Sequence, residues 1–338
     1  MITIEELQTL TANQRFLAIE LINRGIDVDI FDWTNEVLEV RHAGRHELLL
    51  DIDSSTMPYA ASIISGSKPL TRILLGRAGI SIPAGHHFPV NAHDTISAFV
   101  TTQLCFPLVV KPSVGNQGLG VHTGIETIED LTHALFSIQE SHGAVEILVE
   151  EQFIASEFRV FITRNGDYAV LHRDPAHVFG DGIHTVQELA EAESERRLNP
   201  RVNCLCPIAL DEEAGRFLRK QGLSFSSIPS AGEKIYVRGS SNVKMGGVPE
   251  DCTDRVHPSV IAIARAALNA IPGLPYAGVD FMTRNISAPQ SGDSYRVLEL
   301  NSVPGIGMHM SPGRGRPRNV AGMLIDLIFP ESRERLAA

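Results

Sequence analysis

The sequence predicts a mixed α/β chain of the α+β kind, arranged in three lobes. Three observations carry that reading. Helix-period and strand-period stretches interleave along most of the chain. A short apolar strand, Leu108-Val109-Val110, runs through Lys111 into a loop with glycines at Gly115, Gly118 and Gly120. A second apolar strand, within Arg296 to Gly305, carries Glu299 and Asn301 on one face, because side chains alternate along a strand.

Residues 1–66 read as a small N-terminal lobe. Ala12 to Asn23 has helical periodicity and stops before Gly25, a C-cap residue. Ile26 to Phe31 alternates apolar and acidic residues like a strand, and two further strands bracket Ala43-Gly44. Residues 67–149 read as a central lobe carrying the glycine-rich lid loop. Its expected elements are a helix from Lys68 to Ala78, a helix over 94–104, the Val109 strand, a helix from Ile128 to Gln139 and the strand Ile147 to Val149.

Residues 150–330 form the third predicted lobe, with 331–338 as a tail. Phe158 to Thr163 and Tyr168 to His172 flank Asn165-Gly166, a strong hairpin-turn pair. A helix follows over Thr185 to Ser194, and 195–235 is polar and mixed, like an insertion. Val260 to Ala270 is helical, Tyr276 to Met282 and Tyr295 to Leu300 are strands, and Asn319 to Ile328 is an amphipathic helix. No internal repeat or low-complexity segment interrupts this order.

The chain has 338 residues, enough for two or three cores. A net charge of −11 argues against nucleic acid or a membrane surface as general partner. Cys105, Cys204, Cys206 and Cys252 lack zinc-like spacing and read as free thiols in a reducing compartment. The start MITIEELQTL has no signal-peptide pattern, and no stretch is long enough to span a membrane, so a cytoplasmic protein is expected.

Glycines leave backbone N–H groups open, so the loop after Lys111 can close over phosphate oxygens. It is neither a P-loop nor GxGxxG, since no Gly-Lys-Ser/Thr follows and Thr123 stands where the last glycine belongs. Taken alone it also fits a glycine-rich hairpin beside a lysine. Glu299 and Asn301, two oxygen ligands at i and i+2, suit Mg²⁺, a hard cation. Together the two stretches propose a nucleotide held between a cationic loop and a magnesium site.

Five ordered stretches then resemble the ATP-grasp carboxylate–amine ligases, most closely the ATP-grasp part of the cyanophycin synthetases, and more widely the glutathione synthetases and D-alanine–D-alanine ligases. They are KPLTRILLGRAGISIP from Lys68, RDPAHVFGDGIHTVQEL from Arg173, QGLSFSSIPSAGEKIYVRGSSN from Gln221, the pair Gly246-Gly247, and Asp254 to Pro258. The resemblance runs from about Asp51 to Pro330 and implies an ATP-grasp fold.

It also implies roles. Lys68 and Lys111 resemble the two lysines on the ATP phosphates, and Ser113 to Gly120 resembles the mobile loop over them. Glu150, Glu151 and Phe153 would lie along the adenine, Glu157 would accept from the ribose, and Met282 and Leu298 would form the floor. Asp280, Glu299 and Asn301 resemble the set that holds one or two Mg²⁺ or Mn²⁺ ions. Arg159, Arg173, Arg238 and Asn242 fall near the transferred phosphoryl group in this family. His177 is either a substrate contact or a structural histidine.

The implied activity joins a carboxylate to an amine through an acyl-phosphate, with ADP and phosphate as products. Amino acids or short peptides are the expected substrates, and homo-oligomerisation is left open. A phosphoryl-transferring kinase and a non-catalytic nucleotide-binding module are the alternatives. The cyanophycin synthetases carry a further ligase half, and this chain stops at Ala338, so one amide bond per cycle is expected rather than a polymer.

Overall fold

The computed structural model describes residues 2–113, 120–142, 145–198 and 205–333. Helix α1 (Ile4–Thr9) opens with a capping box between Thr3 and Glu6. Helix α2 (Ala12–Asn23) ends where Gly25 turns to φ +68. Strands β1 (Asp27–Asp32), β2 (Val37–His42) and β3 (Arg45–Leu50) follow as an antiparallel meander. Ala43 and Gly44 both take positive φ, as a two-residue hairpin turn of matching twist requires.

Helices α3 (Tyr59–Gly66) and α4 (Lys68–Arg77) come next. The Ser67 hydroxyl caps α4, and Gly79 at φ +72 closes it. Strand β4 (Gly85–Pro89), helix α5 (His93–Gln103), strands β5 (Leu108–Pro112) and β6 (His122–Ile125), helix α6 (Ile128–His142) and strand β7 (Glu146–Glu151) build the second sheet. Its order is β4-β7-β5-β6, with every neighbour antiparallel. Phe88, Val110, Ile147 and Val149 face α5 and α6, and pack on Ile96, Val100, Leu131 and Ile138. The alternation then turns Gly85, His87, Lys111 and Glu150 to the other face.

The third sheet has the order β12-β9-β8-β13-β14, from β8 (Ser156–Thr163), β9 (Tyr168–Asp174), β12 (Val248–Asp251), β13 (Tyr276–Thr283) and β14 (Tyr295–Asn301). Between β9 and β12 the chain forms β10 (His177–Phe179), α7 (Val186–Arg197), α8 (Glu212–Lys220) and β11 (Lys234–Tyr236). Residues 205–235 are more than a polar excursion. Ile208, Ala214, Leu218 and Ile235 share a core with Val178, Val186 and Ala190. The apolar residues of α8 sit at helical spacing among arginines, lysine and glutamates, which hides them in the sequence.

Helix α9 (Pro258–Asn269) covers one face of the third sheet, against Val160, Ile162, Val279 and Phe281. Phe161 and Tyr276 turn the other way, into a core shared with α2 and α11 (Val320–Ile328). The two central strands are therefore buried on both sides and read as nearly continuous apolar runs. Further along that second face, apolar residues give way to Arg159, Glu157 and Asp280. The short helix α10 (Gly307–Met310) follows β14 through the loop at Pro304.

Candidate active site

Three neighbouring strands align the most polar rung of the third sheet. Arg159 on β8 lies opposite Asp280 on β13, and Asp280 lies opposite Glu299 on β14. Arg159 donates from Nε to Asp280 Oδ1 at 2.5 Å and from Nη2 to Oδ2 at 3.3 Å. Gly278 makes the crossing feasible, since a Cβ there would lie 3.0 Å from Arg159 Cδ and 2.8 Å from Pro304 Cβ.

Strand β14 has a bulge between its pairings to Asp280 and Phe281. A bulge adds one residue and re-aims the side chains beside it. Leu298 and Glu299 consequently both stay partly exposed, between buried Val297 and buried Leu300. Asn301, two residues on, donates its amide to Glu299 Oε1 at 3.4 Å. The Asp280 and Glu299 carboxylates and the Asn301 side-chain amide thus lie at one end of the β13–β14 pair. Among the described residues no cluster of three His, Cys, Asp or Glu side chains forms a metal site.

Burial opposes ionisation of Asp280, but the guanidinium groups of Arg159 and Arg173 outweigh it, and its carboxyl lies below the ordinary range. Glu299 is moved upward, first by burial and then by the Asp280 charge. Arg173 stands next to this rung. Its Nη1 donates to Glu157 Oε1 at 2.6 Å and lies 3.5 Å from Asp280 Oδ2, while its Nε has no acceptor among the described residues. The other Glu157 oxygen accepts from the Ser241 hydroxyl.

Two lysines approach from other elements. Lys68, the first residue of α4, brings Nζ to 3.8 Å from Glu299 Oε2. A cation at a helix N-terminus is unfavourable for the helix itself, so the nearby carboxylate offsets a cost. Lys111 on β5 reaches Glu150 Oε1 at 2.6 Å. Ser113 donates or accepts at His87 Nδ1 over 2.8 Å, and Gly120 turns at φ +70. Gly115 and Gly118 lie outside the described residues.

The other candidate residues sit among partners on several elements. Glu150 is buried, with its carboxylate between Lys111 and Arg72, because strand alternation turns it to the same face as Lys111. The Glu151 carboxylate accepts from the Cys105 backbone N–H at 2.8 Å. Phe153 lies under the Arg296 guanidinium at 4.9 Å. Met282 is partly exposed on β13, two residues beyond Asp280 and opposite Glu157. Arg238 is not brought to the Asp280 rung; it is buried against Asp211 at 2.7 Å and Glu213. Asn242 caps a short turn through Lys244 N–H. Both His177 nitrogens have partners, Nδ1 the Pro175 carbonyl at 2.8 Å and Nε2 Arg314 at 3.0 Å.

Sequence reasoning assigned no role to Arg72, Ser241 or Gly278, although Arg72 and Ser241 lie inside the resembling stretches. Spacing was a further signal for one of them: Arg72 is four residues after Lys68 on a helix, hence on the same face.

This architecture is the fold of the ATP-grasp ligases. A bifunctional glutathione synthetase from Pasteurella multocida superposes with a TM-score of 0.72 and 28% identity, over 97% of this chain and 45% of that one. By sequence, the chain is a homologue of cyanophycin synthetases and glutathione biosynthesis bifunctional proteins. The cyanophycin synthetase of Trichormus variabilis is 32% identical over 268 residues, which are 79% of this chain and 29% of that protein. The glutathione biosynthesis bifunctional protein of Clostridium perfringens is 30% identical over 331 residues, 95% of this chain and 41% of that protein. The chain therefore spans less than half the length of these relatives. No protein-family model matches it. No helix among the described residues is long and apolar enough to cross a membrane.

Proposed function

We propose that the chain is an ATP-dependent carboxylate–amine ligase that forms an amide or peptide bond and releases ADP and phosphate. The observation that carries this reading is the meeting of Lys68 with the Asp280, Glu299 and Asn301 set at the end of β13 and β14. A point charge and a set of oxygen donors in one cleft suit a triphosphate and a hard divalent cation.

In this reading Lys68 and Lys111 bind the phosphates. Asp280, Glu299 and Asn301 fit Mg²⁺ because all three offer oxygen and none offers sulfur or imidazole nitrogen. A Mg²⁺ ion held by these three residues would supply positive charge against the phosphate oxygens during transfer. Glu151 and Phe153 follow β7 along the adenine, Met282 and Leu298 form its floor, and Glu157 stands near the ribose. Arg159 and Arg173 hold fixed positive charge at the reacting groups, and the spare Arg173 Nε donor suits an anion.

The substrate carboxylate oxygen attacks the γ-phosphorus, and the bond to the ADP oxygen breaks. The amine nitrogen then attacks the acyl carbon, loses a proton, and phosphate leaves with the former carboxylate oxygen. Side chains contribute mainly position and charge. Amino acids or short peptides are the proposed substrates, in the reducing cytoplasm. A screen of amino-acid pairs for phosphate release, with product masses, tests the proposal. ADP release that never requires an amine, with a stable phosphorylated product and no free phosphate, would replace the ligase with a kinase.

A further inference from the structure

We propose that Arg72 is a positioning residue for nucleotide binding, acting through Glu150 to keep the charge of Lys111 available to phosphate. The inference rests on the reading above, in which Lys111 meets the triphosphate.

Arg72 is buried on the face of α4 that also carries Lys68. Its guanidinium forks. Nη1 donates to Glu150 Oε2 at 2.7 Å, and Nη2 donates to the Pro83 carbonyl at 2.7 Å. Glu150 gives its other oxygen to Lys111 Nζ at 2.6 Å. The carboxylate is thus a bridge with one cation on each side.

Charge decides what this bridge does. Glu150 is among the most buried carboxylates of the chain, at 3% exposure, and a single lysine beside it would be neutralised by it. With Arg72 on the far oxygen the trio keeps one net positive charge. Lys111 is the more open of the two cations, with 13% side-chain exposure against 8% for Arg72. The excess charge therefore faces the cleft at Lys111. His87, on the same sheet face, responds to that field. Its pKa is pushed down to about 4, first by burial and then by the Arg72 charge.

The geometry also joins the two phosphate lysines. Lys68 and Arg72 are one helical turn apart, so α4 sets both at once. One reaches Glu299 and the other reaches Glu150. Gly85 keeps room for the bridge, since a Cβ there would lie 2.5 Å from Glu150 Cβ and 2.4 Å from the Val149 carbonyl oxygen.

The test is calorimetric titration of the full chain with AMP-PNP and Mg²⁺, and separately with adenosine. Arg72→Met should lose roughly tenfold in AMP-PNP affinity and leave adenosine within about twofold. Arg72→Lys should recover most of the loss. In a Glu150→Gln background, adding Arg72→Met should cost less than about twofold, because no buried carboxylate remains to claim Lys111. If Arg72→Met alone fails to fold, Arg72→Gln takes its place in both backgrounds, with the same expected difference between them. Unchanged AMP-PNP affinity in Arg72→Met, or the same loss in both backgrounds, overturns the proposal. Wild-type protein that does not bind AMP-PNP would overturn the nucleotide reading beneath it.

Discussion

Arg159 Nε lies 2.5 Å from Asp280 Oδ1, directly across two neighbouring strands. Both side chains are nearly buried, at 10% and 7% exposure. Removing one partner of such a pair strands a buried charge and typically costs about 3–5 kcal/mol. Arg159→Met should therefore lower the urea midpoint strongly, and its loss of activity will mix folding with chemistry. A midpoint equal to wild type would show that Asp280 finds another cation at no cost.

Glu299 is the cleaner probe of the proposed metal set. Its side chain is 29% exposed and its nearest cation, Lys68, is 3.8 Å away. Glu299→Gln should keep the fold, with a change in stability of no more than about 1 kcal/mol, as expected for a partly exposed pair. Activity at saturating Mg²⁺ should fall by at least about a hundredfold, the scale of losing a ligand whose charge the transition state needs. Near-normal turnover in that variant would remove Glu299 from the metal set.

The site was legible where side-chain period and chemistry coincide. Glu299 and Asn301 could be placed on one face because i and i+2 share a side of a strand. Gly25, Gly79 and the Ala43-Gly44 turn were legible as chain reversals. The strands at Gly85–Pro89 and His122–Ile125 were not, because each buries only a single large apolar residue, Phe88 or Ile125. The β14 bulge was also hidden. It breaks the alternation that the sequence reading depends on, and it alone lets Leu298 and Glu299 both open to the cleft. The place of Glu150 depends on Arg72, 78 residues earlier, and no local pattern encodes that pairing.

His309 makes stability depend on acid. Its ring is wholly buried beside Phe161, and neither nitrogen has a partner among the described residues. Its pKa is pushed down to about 3, first by burial and then by the Arg159 charge. An unfolded histidine titrates near 6.5, so on acidification the unfolded chain takes the proton first. The stabilisation is complete above pH ~6.5 and is lost as pH falls toward ~3. Between pH ~7 and ~5 this one group should remove about 2 kcal/mol. His309→Phe should be spared that part of the loss in urea titrations at the two pH values. Equal losses in both proteins would mean that the buried ring is not what acid attacks.

The reaction type can be read from the nucleotide product. A carboxylate attacking the γ-phosphorus releases ADP, whereas attack at the α-phosphorus would release AMP and pyrophosphate. Lys68, Lys111 and the Asp280–Glu299–Asn301 set, as proposed, hold the distal phosphates, where charge develops during γ-transfer. Nucleotide chromatography with each substrate omitted in turn should show sustained ADP formation only when carboxylate and amine are both present. With the carboxylate alone, ADP should stop near one equivalent of enzyme or continue slowly by hydrolysis of the acyl-phosphate. Product masses should equal the two substrates minus one water. AMP as the product would refute the γ-transfer mechanism, and amine-free ADP formation matched by a stable phosphorylated product would place the chemistry with kinases instead.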